Sequence, residues 1–109
     1  MAEVYKILGQ MKPAAVTITI GYAVPASTST IVSSLTICNT NSTSDTVRVY
    51  VVPSAGSPTT TNALYYELPL TGHNTFVATL GLTLATGDEL QVRSTTGNSN
   101  FQFFGTEVS

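Results

Sequence analysis

Charge is the scarcest thing in this sequence. Four basic and six acidic residues make up 9% of 109, where an ordinary soluble domain carries about a quarter. Four cations on a chain of net charge -2 cannot provide the basic footprint that nucleic acid requires. A coiled coil needs charged flanking positions, and those are missing too. Tryptophan is absent, and Cys38 is the single cysteine. An intrachain disulfide is therefore excluded, and a reducing cytoplasm is the expected site of synthesis. The longest uninterrupted apolar runs are two to four residues, whereas a membrane-spanning helix needs about 20. The opening Met1-Ala2-Glu3-Val4-Tyr5-Lys6 lacks the basic region and long apolar core of a secretory signal, so no signal peptide is expected.

What the sequence has instead is hydroxyl groups. It contains 19 threonines and 11 serines, and 42% of its residues are apolar. Disorder goes with low hydrophobicity and high charge, the reverse of this composition. The length suits one domain, residues 1–109, with enough apolar residues for a single core.

Apolar residues recur with a period of two. Val16, Ile18, Ile20 and Tyr22 alternate with Thr17 and Thr19, which predicts a strand with those four on its core face. Ile31, Ser33, Leu35 and Ile37 repeat the spacing, as do Val47, Val49 and Val51. Phe76, Ala78, Leu80 and Leu82 form another face, followed by Leu90 with Val92 and by Phe101 with Phe103. Tyr66, Leu68 and Leu70 fit less cleanly because Pro69 interrupts them. Proline removes a ladder donor, so it marks a strand end or a sheet edge. Turn signals separate the runs: Asn39 to Asp45, Pro53 to Pro58, Thr71-Gly72-His73-Asn74, Thr86-Gly87-Asp88 and Thr96-Gly97-Asn98. Gly72 is expected at positive φ. β-Branched residues favour strand over helix. The prediction is an all-β protein without substantial helix. It is a single antiparallel β-sandwich of about seven to nine short strands, either jelly-roll or immunoglobulin-like. Residues 1–12 read as an N-terminal edge strand or as an arm that adds to a neighbouring subunit. Val4, Tyr5, Ile7 and Leu8 would be its contact residues.

Catalytic chemistry is hard to build from these residues. His73 is the only histidine, and it could serve Ser57 or Cys38 as a base. It sits in a Gly-Asn turn without a nucleophile motif, so it reads as a solvent-facing turn residue. One histidine and one cysteine do not make a zinc site. Asp88-Glu89 lacks the spacing of a calcium loop, and Asp88 is expected to bond the backbone of its own turn. Glu67 and Glu89 are the carboxylate pair a glycosidase would need, and nothing in the sequence brings them together. Cys38 reads as a small core or edge residue. Asn41-Ser42-Thr43 matches a glycosylation triplet within a Ser/Thr-rich loop. The expectation is no enzyme, no cofactor and no metal.

Tyr65-Tyr66 and Phe103-Phe104 are adjacent aromatic pairs, so one member of each must leave the core. The alternation selects Tyr65 and Phe104 as exposed. Tyr65, Tyr66 and Phe104 are then candidates either for stacking on a glycan or for packing on another subunit. Outer faces of threonine and valine favour the subunit contact, because no ions have to be desolvated.

Several stretches carry a family resemblance. They are Val4-Tyr5-Lys6-Ile7-Leu8-Gly9-Gln10 with Pro13-Ala14-Ala15, Tyr22-Ala23-Val24-Pro25-Ala26, and Ile31 through Asn39. Gly72-His73-Asn74-Thr75-Phe76, Gly87 through Val92, and Phe103-Phe104-Gly105-Thr106-Glu107 belong with them. Together they resemble small virion proteins of tailed bacteriophages, cyanophages included, over nearly the whole chain. The resemblance implies a non-enzymatic β-sandwich located in the virion and assembled in the host cytoplasm. It implies a capsid decoration or cement protein that binds the major capsid protein, with a tail or tail-fibre accessory domain touching host glycan as the alternative. A homo-oligomer is implied, a trimer before a dimer, with no nucleic-acid or membrane partner.

Overall fold

The computed structural model describes residues 2–109; Met1, the first residue of the expected arm, lies outside the described residues. Eight strands follow one another along the chain: β1 (Glu3–Met11), β2 (Thr19–Ala23), β3 (Ser29–Asn39), β4 (Asp45–Val52), β5 (Ala63–Leu70), β6 (Thr75–Leu84), β7 (Glu89–Ser94) and β8 (Ser99–Val108). One 3₁₀ turn, Thr60–Asn62, precedes β5. The strands form two four-stranded sheets, β1-β8-β3-β6 and β2-β7-β4-β5. Every pairing of strands within them is antiparallel.

The order has a simple geometric origin. β1 pairs with β8, β2 with β7, β3 with β6 and β4 with β5. Those four pairings are the rungs of one long hairpin folded at its middle. Rolling that hairpin up adds the remaining two contacts, β3 with β8 and β4 with β7. The result is the double-sheet jelly roll, which settles the choice against an immunoglobulin-like order.

The core lies between the sheets. Phe101 and Phe103 of β8 are fully buried and pair with Ile37 and Leu35 of β3. Val47 and Val49 of β4 and Leu90 and Val92 of β7 close it from the other sheet. Phe76, Ala78, Leu80 and Leu82 pack on its flank. At these positions the two-residue period predicts the inward face correctly.

It fails wherever a bulge inserts a residue, because one extra residue moves the following side chains to the opposite face. In β2, Ile20 pairs with Gln91 and Tyr22 with Leu90, so Gly21 is the extra residue. Tyr22 is buried, but Val16, Ile18 and Ile20 are exposed, contrary to expectation. In β3, Val32 pairs with Gly105 and Ser34 with Phe104, which puts the bulge at Ser33. Thr30 and Val32 therefore point inward, and Ile31 and Ser33 point out. In β5, Val47 pairs with Leu68 and Val49 with Tyr65. Glu67 sits in the bulge at φ 54°. Tyr65, expected outside, packs on the core, and Tyr66 is the exposed member of the pair. Pro69 lies in β5 at a sheet edge, as its missing donor requires.

Three polar clusters pin the ends of the sandwich. Asp45 is buried. Its carboxylate accepts the hydroxyls of Ser94 and Ser99 and the backbone N–H groups of Thr46 (2.8 Å) and Thr96 (3.0 Å). Burial alone would raise its pKa, but the bonds from Ser94, Ser99 and Thr96 outweigh this and hold it below the usual value. Buried Asn39 donates to the carbonyls of Thr43 (2.8 Å) and Leu70 (3.2 Å) and accepts from Asn41 N–H (3.1 Å). Tyr22 donates its hydroxyl to Glu107 at 2.6 Å and contacts the Thr30 hydroxyl at 2.7 Å, while Lys6 reaches Glu107 at 3.2 Å. Burial and the Glu107 carboxylate push the Tyr22 phenol up to about 12. Beside this network Ala2 and Ser109 exchange two backbone hydrogen bonds, at 2.8 and 2.9 Å.

Candidate interaction surface

β1 is an edge strand of nine residues, covered on one side by β8 and open on the other. A bulge between Ile7 and Gly9 turns Leu8 onto the core. Val4, Tyr5 and Ile7 stay in solvent, Tyr5 at 79% of its full exposure. Of the four expected arm residues, the fold thus separates Leu8 from the other three. β2 edges the second sheet on the same side of the sandwich. The two backbones come so close that a Cβ on Gly9 would lie 2.4 Å from the Gly21 carbonyl oxygen. Val16, Ile18 and Ile20, before and on β2, are exposed as well, with Ile20 in the outward row of the second sheet. Together, β1, β2 and the segment between them hold most of the large apolar side chains exposed among the described residues.

Charge is sparse on the outer face of the first sheet, where Glu3 stands at the start of β1. Across the first sheet the cross-strand rows are Tyr5–Thr106–Ile31–Thr83, Ile7–Phe104–Ser34–Thr79 and Gln10–Gln102–Thr36–Val77. None of these residues carries a charge. Phe104 lies half-buried in the middle row rather than standing free. The second sheet is different. Arg48 and Arg93 are direct cross-strand partners on β4 and β7, an arrangement of like charges that is destabilising unless an anion bridges them. Glu67 is that anion. It pairs with Arg48 and lies 4.0 Å from Arg93. The Arg48 guanidinium also sits 4.3 Å over the ring of Tyr66 and donates to the Tyr50 hydroxyl at 3.3 Å.

The aromatic candidates do not converge. Tyr66 is on the outer face of the second sheet, Phe104 is on the first, and Tyr65 turns inward to meet the Phe76 ring edge-on at 5.1 Å. Glu67 and Glu89 lie on strands separated by β4, and Glu89 accepts from Gln91 at 2.8 Å. His73 is exposed in the β5–β6 turn, and it takes the positive φ (56°) expected of Gly72. Gly72 instead lies so close to the Ser42 carbonyl oxygen that a Cβ would come within 2.1 Å. Asp88 accepts from Ala85 N–H at 2.8 Å, closing its own turn, and from Ser54 N–H at 3.0 Å, tying in a second loop. Cys38 is half-buried on β3. Asn41 accepts from Thr43 N–H within its loop at 3.0 Å. No metal-ligating cluster occurs among the described residues. An open depression of about 470 Å³ at one end is lined by Ser27, Thr28, Ser29, Thr86, Val108 and Ser109, none of them titratable in its side chain.

Sequence reasoning missed Asp45, Asn39 and the Arg48–Glu67–Arg93 cluster. Asp45 and Asn39 flank a polar loop and resemble its other residues in type. The two arginines become neighbours only through the register of β4 on β7.

No family model matches the sequence, and no curated protein matches it. Among solved structures, a chain in the structure of infectious bursal disease virus Gx strain matches 97% of this chain with a TM-score of 0.52 at 10% identity. A chain of the Gt strain matches 96% with a TM-score of 0.49, again at 10% identity. This chain spans 31% of the length of each. The likeness to the Gx chain is one of fold.

Proposed function

We propose that this protein is a non-enzymatic structural component of a virus particle. It would pack against neighbouring virion subunits through its β1–β2 side and the outer face of its first sheet. The observation that carries the proposal is the number of exposed apolar side chains along one edge of the sandwich, Val4, Tyr5 and Ile7 on β1 and Val16, Ile18 and Ile20 on and before β2, next to a sheet face whose charge is confined to Glu3 at its end. A surface of this kind excludes water on contact and has few ions to desolvate. A free protein carries it at the risk of aggregation, whereas a subunit of an assembly covers it. The fold likeness to a chain of a virus structure is consistent with this role.

Within that role, the reading we favour is a capsid decoration or cement protein of a tailed phage. Its partner is the major capsid protein, and it works as a symmetric homo-oligomer, a trimer before a dimer. Such a protein stabilises the shell because it binds the assembled state in preference to the free subunits. A tail-accessory role based on Tyr65, Tyr66 and Phe104 stacking on one glycan has less support, since Tyr66 and Phe104 lie on opposite outer faces and Tyr65 packs on the core. Cryo-EM of purified particles tests the proposal. Density for this sandwich at repeated positions on the head supports the cement role, and density on the tail alone overturns it. Absence from purified particles overturns the virion role altogether.

A further inference from the structure

We infer that the outer face of the second sheet holds a recognition site for a carboxylate-bearing sugar, formed by Arg48, Tyr66 and Arg93 and occupied at rest by the chain's own Glu67. The argument starts from the imbalance of the cluster. Two guanidinium groups face each other across β4 and β7, and one carboxylate serves both. Glu67 is well engaged with Arg48 but stands 4.0 Å from Arg93. Among the described residues, Arg93 makes one side-chain hydrogen bond, to the Thr95 hydroxyl at 3.2 Å. Its side chain is 15% exposed, and the donors it does not spend on Thr95 keep contact with solvent rather than being sealed off. A second carboxylate would find two parallel donors there.

The neighbouring groups specify a sugar rather than a simple anion or an acidic side chain. Arg48 lies over one face of the Tyr66 ring, and Tyr66 as a residue remains 49% exposed. A pyranose has an apolar face that stacks on such a ring, and an acidic pyranose carries its carboxylate at the ring edge. The hydroxyls of Tyr50, Thr46 and Thr95 lie around the same arginines, with Thr46 and Thr95 only 2.7 Å apart. They offer further donors and acceptors for sugar hydroxyls. An aspartate or glutamate side chain would meet Arg93 but leave Tyr66 with nothing to stack on. Glu67 acts as an internal competitor. It is held at the bulge with φ 54°, on an edge strand, with its side chain 40% exposed, so an incoming carboxylate can displace it.

The competitor makes the inference testable. ¹⁵N-labelled protein is titrated with a galacturonic acid tetramer, with the neutral galactose tetramer and with a glutamate tetrapeptide. Shift changes confined to Arg48, Tyr66, Glu67 and Arg93, saturating with the acidic sugar and about tenfold weaker with the neutral one, are expected. Glu67→Gln should tighten binding by roughly threefold or more, because the resident carboxylate is gone; a purely structural cluster would show no gain. Arg93→Gln should weaken binding about tenfold while leaving the spectrum otherwise dispersed, since it also removes a like-charge contact. Tyr66→Ala should weaken it comparably, and decides the matter should the Glu67 variant not fold. No saturable shifts at 10 mM sugar (about 3 kcal/mol of binding or less), equal affinity for neutral sugar, or equal affinity for the glutamate peptide overturns the inference. The titration uses free protein, so its outcome is separable from where the protein sits on a particle.

Discussion

Asp45 joins β4 to the β7–β8 turn and its flanks through three of the four hydrogen bonds to its carboxylate, the fourth coming from Thr46 N–H beside it. Asp45→Ala would leave two buried serine hydroxyls and the Thr96 N–H without their acceptor. A loss of roughly 3 kcal/mol is expected in urea unfolding. Because the folded pKa of Asp45 lies below its unfolded value of 3.8, its contribution is present above that pH. It disappears as pH falls through the lower folded value. Asp45→Asn should flatten that acid limb. Tyr22 acts at the other end of the scale. Its phenol is raised from 10.0 to about 12, so its contribution is complete below pH 10 and is lost as pH rises toward 12. The shift corresponds to at most about 3 kcal/mol. Tyr22→Phe should abolish the fall in stability across that window, as followed by chemical denaturation at stepped pH. Two glycines give a contrast that does not depend on charge. Gly72→Ala drives a methyl group into the Ser42 carbonyl, whereas a Cβ on Gly81 meets nothing within 4 Å. The first change should destabilise by more than about 2 kcal/mol. The second should be neutral or stabilising by up to about 1 kcal/mol, because alanine loses less backbone entropy in a strand.

At the scale of the element, alternation predicts the inward face of β4, β6, β7 and β8. It misreads β2, β3 and β5, and each error has the same cause. Gly21, Ser33 and Glu67 lie at bulges, beyond which the period resumes on the opposite face. Gly21 carries a local signal, since a lone glycine in a strand pattern suggests a bulge, but serine and glutamate are ordinary strand-surface residues, and at Ser33 and Glu67 only the partner strand fixes the register. The same errors hid the apolar side of the molecule. Ile18 and Ile20 look like core residues in the sequence and emerge as surface. The Ile7–Gly9 bulge likewise separates Leu8, which turns inward, from Val4, Tyr5 and Ile7. Tyr5 and Ile7 now separate folding from assembly. Tyr5→Ser combined with Ile7→Ser should change unfolding free energy by less than about 0.5 kcal/mol per site, since both side chains are in solvent. Incorporation into particles, or self-association measured by sedimentation, should drop sharply if these residues contact a neighbour.

At the scale of the whole molecule, the double-sheet class is written in the spacing of strands and turns, but the jelly-roll order is not. It depends on β1 meeting β8 and β2 meeting β7, partners separated by most of the chain. The two sequence ends of the hairpin must find each other before either outer pairing forms, and that closure is entropically slow. Refolding by stopped-flow fluorescence should therefore fall in the millisecond-to-second range rather than in microseconds. β8 is an interior strand, flanked by β1 and β3, and it carries Phe101 and Phe103. Deleting residues 99–109 removes the centre of the first sheet and should abolish the cooperative transition rather than trim it.

Residues 2 and 109 exchange a reciprocal pair of hydrogen bonds, so the path through the sandwich leaves where it entered. A unit built this way can be spliced into a surface loop of another polypeptide without stretching its host, and a short linker across the gap would allow the chain to be reopened at any of its exposed turns. Cargo fused at either terminus would emerge from the same corner, beside the Lys6–Glu107 pair, leaving the sheet faces clear.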